Sequence, residues 1–207
     1  MRAYSENYLY DAMRNMAELT QYVCQKIPMD IDEFMNYFIL SGVAEQWEKG
    51  YPKFVCGMSG TELHHHVMYV MGDDSEWPDP VEDYYTGDDY WVGWILAYFQ
   101  WYTGYSYKKI FAQISCKDLF RMYPAMHTAS EDRAVDALLQ MTSASKRLQA
   151  YRKRLGMSQR DLSVKSGVNI RTLQQYEIGA KDLNRAAVQT VLALSKTLAV
   201  TPEELID

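Results

Sequence analysis

Apolar residues recur every three or four positions along most of this chain, the spacing of one face of an α-helix. No long stretch alternates apolar and polar residues as a half-buried strand would. The pattern therefore predicts an all-α protein. In the first 141 residues the predicted helices lie at about 5–25, 30–42, around Trp47, and at 59–71, 88–104, 106–114, 116–123 and 130–139.

Local signals refine three of these segments. Residues 51–58 are predicted as a loop or a short extended piece, and Pro124 is expected to stop the helix before it. In the helix at 59–71, the predicted inward residues are Leu63, His66, Val67 and Val70.

Five further helices are predicted in about 60 residues on the C-terminal side, enough for one compact unit. The last begins at Thr201, where Pro202 suits the first helical position and Glu204 completes a capping box. The apolar positions are Leu148, Tyr151 and Leu155 in the first of the five helices and Val188, Val191, Leu194 or Ser195, and Leu198 in the fourth.

The second and third of these helices are joined by a tight turn. Ser158 is a predicted N-cap, with Asp161 at the capping-box position, and Gly167 can adopt the positive φ that ends a helix. Asn169 then caps the third helix. Leu173 and Tyr176 are expected on the buried face of that helix. The outward residues are Ile170, Arg171, Gln174 and Gln175. Taken alone, this pattern fits either a DNA-reading pair of helices or two amphipathic helices with solvated polar faces.

The flanking sequence favours the first interpretation. The segments LQAYRKRLGMSQRDLSVKSGV, NIRTLQQYEIG and LSKTLAVTPEELI follow one another as they do in Cro and phage-repressor helix-turn-helix proteins, also called the Xre family. Residues 145–206 resemble this family, over roughly 30 per cent of the chain.

The resemblance implies a five-helix, lambda-repressor-like DNA-binding domain whose third helix enters the major groove. It also implies a buried structural pair between Arg152 and Glu177. Ala199 stands where the family often has a glycine ending the fourth helix, which costs ~1 kcal/mol if a positive φ is required. The implied base contacts are Ile170, Arg171, Gln174 and Gln175, and the implied phosphate contacts are Gln159, Thr172, Lys181 and Asn184.

Charge divides the chain in the same place. Residues 142–207 hold 11 Lys and Arg against 6 Asp and Glu, a net charge of +5. Because the whole chain has a net charge of −6, residues 1–141 have a net charge of −11. A basic segment suits DNA. The sequence therefore predicts an acidic, aromatic-rich helical domain at 1–141 for dimerisation or partner binding, and a DNA-binding domain at 142–207. The junction Thr142–Ser145 is either a linker or a frayed joint in one long helix.

Residues 73–89 contain eight acids, two prolines and no Lys or Arg. This composition predicts a loop. It is either a solvated connection, a surface for a basic partner, or a competitor for the protein's own DNA-binding face. The eight acids are Asp73, Asp74, Glu76, Asp79, Glu82, Asp83, Asp88 and Asp89.

The helix at 88–104 carries aromatic rings on nearly every side, so we expect burial on several faces. A core helix is favoured over an exposed interface stripe. Its rings are Tyr90, Trp91, Trp94, Tyr98, Phe99, Trp101 and Tyr102.

Little in the sequence indicates an enzyme, a metal site or a membrane-spanning segment. The three cysteines, Cys24, Cys56 and Cys116, are widely spaced, and consecutive histidines such as His64 and His65 diverge by about 100° on a helix. No catalytic or metal-binding motif, signal region or membrane-length apolar run is present. We expect a cytoplasmic, non-enzymatic protein of bacteria or phages with no cofactor, no metal and no membrane partner.

Two N-terminal phrases add an alternative. SGVAEQWEKGYPKFVCGMSGTEL and YWVGWILAYFQWYTGYS loosely resemble N-terminal regions of Xre-type regulators from mobile gene modules that include putative toxins. The interpretation is a dimeric repressor that binds operator DNA; the alternatives are an antitoxin that neutralises a partner toxin and represses its own operon, and a ligand-responsive regulator.

Overall fold

The computed structural model describes residues 2–82 and 87–207, and within them the chain is helical. It forms fourteen α-helices and two short 3-10 helices, with no strand in the described part. The predicted all-α class is confirmed.

The chain separates into two compact units. The first comprises Met1–Tyr107 and Ile114–Leu138, and the second comprises Lys108–Gln113 and Leu139–Asp207. The second unit thus includes a short segment that the sequence assigned to the acidic domain. The domain boundary at residue 141 stays a prediction.

The first unit begins with the 3-10 helix Glu6–Tyr8. Its α-helices are α1 (Leu9–Lys26), α2 (Ile31–Leu40), α3 (Val43–Glu48), α4 (Pro52–Val55), α5 (Gly60–Val70), α6 (Asp88–Thr103), α8 (Cys116–Met126) and most of α9 (Glu131–Met141), with α7 (Tyr107–Phe111) lying almost wholly in the second unit.

Helices α1 and α6 pack at backbone contact in the centre of the first unit. A methyl group added at Gly93 would lie 2.3 Å from the carbonyl oxygen of Met16, so only glycine fits there. The Thr20 hydroxyl donates to the Asp89 carbonyl at 2.8 Å, and the Gln25 amide donates to the Asp89 carboxylate at 2.6 Å. These bonds fix the start of α6 against α1.

Three local expectations for the first unit were wrong. Residues 52–55 form a helical turn, because Pro52 suits the first helical position and Phe54 is buried. Helix α8 continues through Pro124, since a proline removes only its own amide donor and the next turn still closes from the His127 amide to the Tyr123 carbonyl at 2.9 Å.

The third concerns α5. Its buried histidine is His64 rather than His66, and Val70 is 47% exposed. The inward stripe of α5 is therefore rotated from the predicted one.

Residues 73–82 have no regular secondary structure, as expected for the acidic loop. Asp88 and Asp89 instead begin α6. The expectation for Asp83 lies outside the described residues.

The second unit contains the predicted five C-terminal helices together with α7. They are α10 (Ala144–Arg154), α11 (Gln159–Ser166), α12 (Ile170–Glu177), α13 (Val188–Leu198) and α14 (Pro202–Leu205), with the 3-10 helix Leu183–Arg185 before α13. Only Thr142 and Ser143 separate α9 from α10.

The core of the second unit is mainly aliphatic. Leu155 and Val188, expected inside, are 46% and 68% exposed because they lie at the end of α10 and at the start of α13. The core residues are Ala144, Leu148, Tyr151, Leu162, Leu173, Tyr176, Leu183, Leu194, Leu198 and Leu205.

Candidate nucleic-acid interface

Helix α11 and the turn after it are fixed by local hydrogen bonds. The Ser158 hydroxyl accepts from the Asp161 amide at 3.1 Å, and the Asp161 carboxylate accepts from the Ser158 amide at 2.9 Å, the predicted capping box. Gly167 has a φ of +72° and ends the helix. The Ser163 hydroxyl donates to the Val168 carbonyl at 2.6 Å across the turn. The angle at which α12 leaves α11 is therefore determined by bonds within eleven residues.

Helix α12 presents a polar front and an apolar back. The Asn169 side chain accepts from the Arg171 amide at 2.9 Å and caps the helix. Leu173 and Tyr176 are buried, as predicted. The predicted base-contacting residues lie on the other face: Arg171, Gln174 and Gln175 are exposed, and Ile170 is half-buried.

The end of α12 is tied to α10 by a buried ion pair. The Arg152 Nε lies 2.5 Å from Glu177 Oε1, and Arg152 Nη2 donates to Glu177 Oε2 at 2.9 Å. The amide of Gln159 adds a third bond to the carboxylate at 2.8 Å. Arg152 Nη1 also donates to the Met157 carbonyl at 2.7 Å. The structure thus brings together the two residues of the implied structural pair.

Glu177 is charged in this setting. Burial opposes its ionisation, but the bonds from Arg152 and Gln159 outweigh burial and hold the pKa of the carboxyl below its usual range. A bidentate contact between guanidinium and carboxylate is directional, so it sets the orientation of α12 as well as its stability.

The four predicted phosphate contacts differ in their surroundings. Lys181 is exposed and Thr172 is half-buried. Gln159 donates to Glu177 and accepts from Gln174 at 3.4 Å. Asn184 exchanges two hydrogen bonds with Asp207, both of 3.0 Å. Contact of Asn184 with a phosphate would therefore have to compete with Asp207.

Further basic side chains within residues 144–207 are exposed. They supply the positive field that draws a protein towards DNA. These residues are Lys146, Lys153, Arg154, Arg160, Lys165, Arg185 and Lys196.

A second buried arginine was missed by sequence reasoning. Arg147 has no exposed surface, and its guanidinium donates to the carbonyls of Thr142 and Leu205 and, at 2.5 Å, to the Asp207 carboxylate. Lys109 of α7 donates to the Ile206 carbonyl at 2.6 Å. One signal was available, because Arg147 falls three residues after Ala144 and four before Tyr151, on the apolar stripe of α10.

The comparison with protein-family models agrees with this geometry. Residues 148–205 match the family described as helix-turn-helix. This segment is a helix-turn-helix domain of the Cro and phage-repressor type. The presence of this domain supports a DNA-binding transcription regulator in general. Helix-turn-helix proteins of this family are typically non-enzymatic.

No curated protein and no solved structure matched the chain. The resemblance of the N-terminal phrases to regulators of toxin modules therefore stays a prediction.

Within residues 2–82 and 87–207, no three His, Cys, Asp or Glu side chains are grouped to hold a metal ion. Among the described helices, none has the length and apolar character needed to cross a bilayer.

Proposed function

We propose that this protein is a dimeric repressor that reads a specific operator through the first turns of α12. The observation that carries the proposal is the exposed polar front of α12, with Arg171, Gln174 and Gln175 open and the back of the helix anchored by the Arg152–Glu177 pair.

The side chains suit the edges of base pairs. An arginine can bond both guanine O6 and N7, a glutamine can bond both adenine N6 and N7, and an isoleucine offers apolar contact to a thymine methyl group. Ile170, Arg171, Gln174 and Gln175 are the proposed reading residues. Gln159, Thr172, Lys181 and Asn184 are the proposed phosphate contacts, which fix register.

A dimer follows from the size of the reading surface. One such helix covers only a few base pairs, and proteins of this design bind two half-sites about 34 Å apart, one helical turn of DNA. We therefore propose a palindromic operator and two copies of the chain.

The test begins with an operator selected from random duplexes by the full-length protein. Arg171→Ala should weaken binding to that operator by about 1–3 kcal/mol and relax the preference at one base position in each half-site, because its guanidinium reads that base. Lys181→Ala is the matched control. It should weaken binding to all sequences evenly and make binding less sensitive to salt.

Two results would contradict the proposal. One is recovery of no preferred sequence from the random pool. The other is an Arg171→Ala protein with unchanged base preference at every position.

An antitoxin role is the second candidate, supported by the resemblance of the N-terminal phrases. In this case a neighbouring gene should arrest growth when expressed alone and be harmless when expressed with this chain. A neighbour that is harmless alone would remove this candidate and leave the repressor proposal standing.

A further inference from the structure

A groove with aromatic walls crosses the surface of the first unit. It holds a cavity of about 460 Å³, and a smaller cavity of about 110 Å³ shares the walls formed by Trp91, Trp94 and His127. The larger volume is in the range of small-molecule sites in proteins. The rings that line it are Tyr10, Tyr90, Trp91, Trp94, Tyr123 and His127.

The rings come from α1, α6 and α8 and the residue that follows α8, and they meet at different angles. Tyr10 stands edge-on to Trp94 at 85°, with ring centres 5.7 Å apart, and Trp91 meets Tyr123 at 70° and 5.8 Å. Tyr90 is nearly parallel to Trp94, at 24°. Rings at these angles surround a volume instead of forming one flat sheet.

The wall also carries a carboxylate, beside the polar side chains of His127 and Ser130. Glu131 lines the smaller cavity, and its carboxylate accepts from the Trp94 indole at 3.1 Å. Among the described residues, neither cavity is lined by Lys or Arg. The faces of aromatic rings are electron-rich, so this combination of rings and a carboxylate favours a positive charge.

We propose that this groove binds a small organic cation of the quaternary ammonium class, with the charge over the faces of Trp91 and Trp94 and next to Glu131. Such a cation is weakly hydrated and loses little solvation on entry, whereas a neutral apolar molecule gains nothing from the carboxylate. An anion would be repelled by both the ring faces and Glu131.

Two hydrogen bonds join the groove helix α6 to α9. The Tyr98 hydroxyl on α6 donates to the Asp132 carboxylate on α9 at 2.8 Å, parallel to the Trp94–Glu131 bond. The two bonds join α6 to α9 in the absence of a ligand, so they support the wall that Trp94 forms.

Calorimetry on the full-length protein without DNA tests the proposal with two probes of equal shape. They are (3-hydroxyphenyl)trimethylammonium and its neutral isostere 3-tert-butylphenol. The cation should bind at least about tenfold more tightly than the phenol. Because no DNA is present, the outcome is independent of the proposed operator reading.

Three variants locate the site. Trp94→Leu should weaken binding of the cation about tenfold or more, and Glu131→Gln, which keeps an acceptor for the indole, should weaken it several-fold. Tyr51→Leu, an exposed tyrosine that lines neither cavity, is the control and should leave binding unchanged. Matching melting temperatures would show that the variants fold.

The proposal is overturned if the phenol binds as tightly as the cation, if neither probe binds at millimolar concentration, or if folded Trp94→Leu protein binds the cation as the unaltered chain does.

Discussion

The buried basic side chains of the two units have opposite surroundings. In the second unit the buried arginines, Arg147 and Arg152, each find carbonyl and carboxylate acceptors around an aliphatic core. In the first unit His64 is fully buried, and neither of its ring nitrogens has a hydrogen-bond partner among the described residues. Its ring instead stacks on Phe34, with centres 5.1 Å apart, and meets Trp77 edge-on at 4.9 Å.

The contrast reflects how the helices of each unit are held in place. Bonds to a guanidinium are directional, so they set the angle of α12, which a DNA-reading surface requires. In the first unit, aromatic rings pack edge to face and leave an open groove between them. Four substitutions probe this contrast.

The largest effect is expected from Glu177→Ala. It leaves Arg152 buried and unpaired, which should lower the free energy of unfolding by about 3–5 kcal/mol. Denaturant unfolding measures this loss. The double variant Arg152→Met with Glu177→Leu removes both charges and should lose much less; an equal loss would show that packing, not charge, dominates here.

Gly93→Ala should strongly destabilise the first unit. The added methyl would lie 2.6 Å from the Cα of Ala17 as well as close to the Met16 carbonyl, so α1 and α6 must separate, at a cost of about 1–3 kcal/mol or more. Gly72→Ala is the control, since its methyl meets nothing within 4 Å and costs only strain from a φ of +89°. Equal melting temperatures for the two variants would contradict this packing.

His64 should make the first unit sensitive to acid. Burial lowers the pKa of His64 from 6.5 to about 4, so the unfolded chain binds its proton first as the pH falls. The free energy of unfolding is therefore unaffected by the titration of His64 above pH 6.5. It falls by on the order of 1–3 kcal/mol between pH 6.5 and pH 4.

Comparison of His64→Phe with the unaltered chain by urea unfolding at several pH values isolates this contribution. The variant should show the smaller loss of unfolding free energy on acidification. The exposed His127→Gln is the control and should follow the unaltered chain. Parallel curves for all three proteins would rule out His64 as the cause.

The smallest effect concerns Ala199, whose φ of +55° is the only positive value at a described residue other than glycine. Ala199→Gly should relieve this strain and raise the free energy of unfolding by about 0.5–1 kcal/mol. Thermal unfolding would record a small rise in melting temperature. A fall would mean that the flexibility glycine adds to the unfolded chain outweighs the relieved strain.

Sequence reasoning was most successful where structure is local. The caps at Ser158, Asn169 and Thr201 were predicted because each depends on residues two or three positions away. The partners of Arg147, at Leu205 and Asp207, lie about 60 residues along the chain, and no pattern within α10 indicates them.

The burial of His64 was missed for a related reason. Helical spacing in α5 allowed either His64 or His66 to face inward. His64 is the buried one because its ring packs against Phe34 and Trp77, which come from distant segments. The aromatic composition of α6 was visible in the sequence, but the groove was not, because Tyr10 and Tyr123 come from other helices.

The second unit, which carries the helix-turn-helix domain, is not one continuous segment of the chain. Lys108 and Lys109 lie about 35 residues before α10, yet they bond to the Glu204 carboxylate at 2.7 Å and to the Ile206 carbonyl at 2.6 Å, next to the acceptors of Arg147. A fragment beginning at residue 142 would lack this clamp on α14. Grafting onto another protein would therefore succeed only if the piece spanning α7 travelled with it.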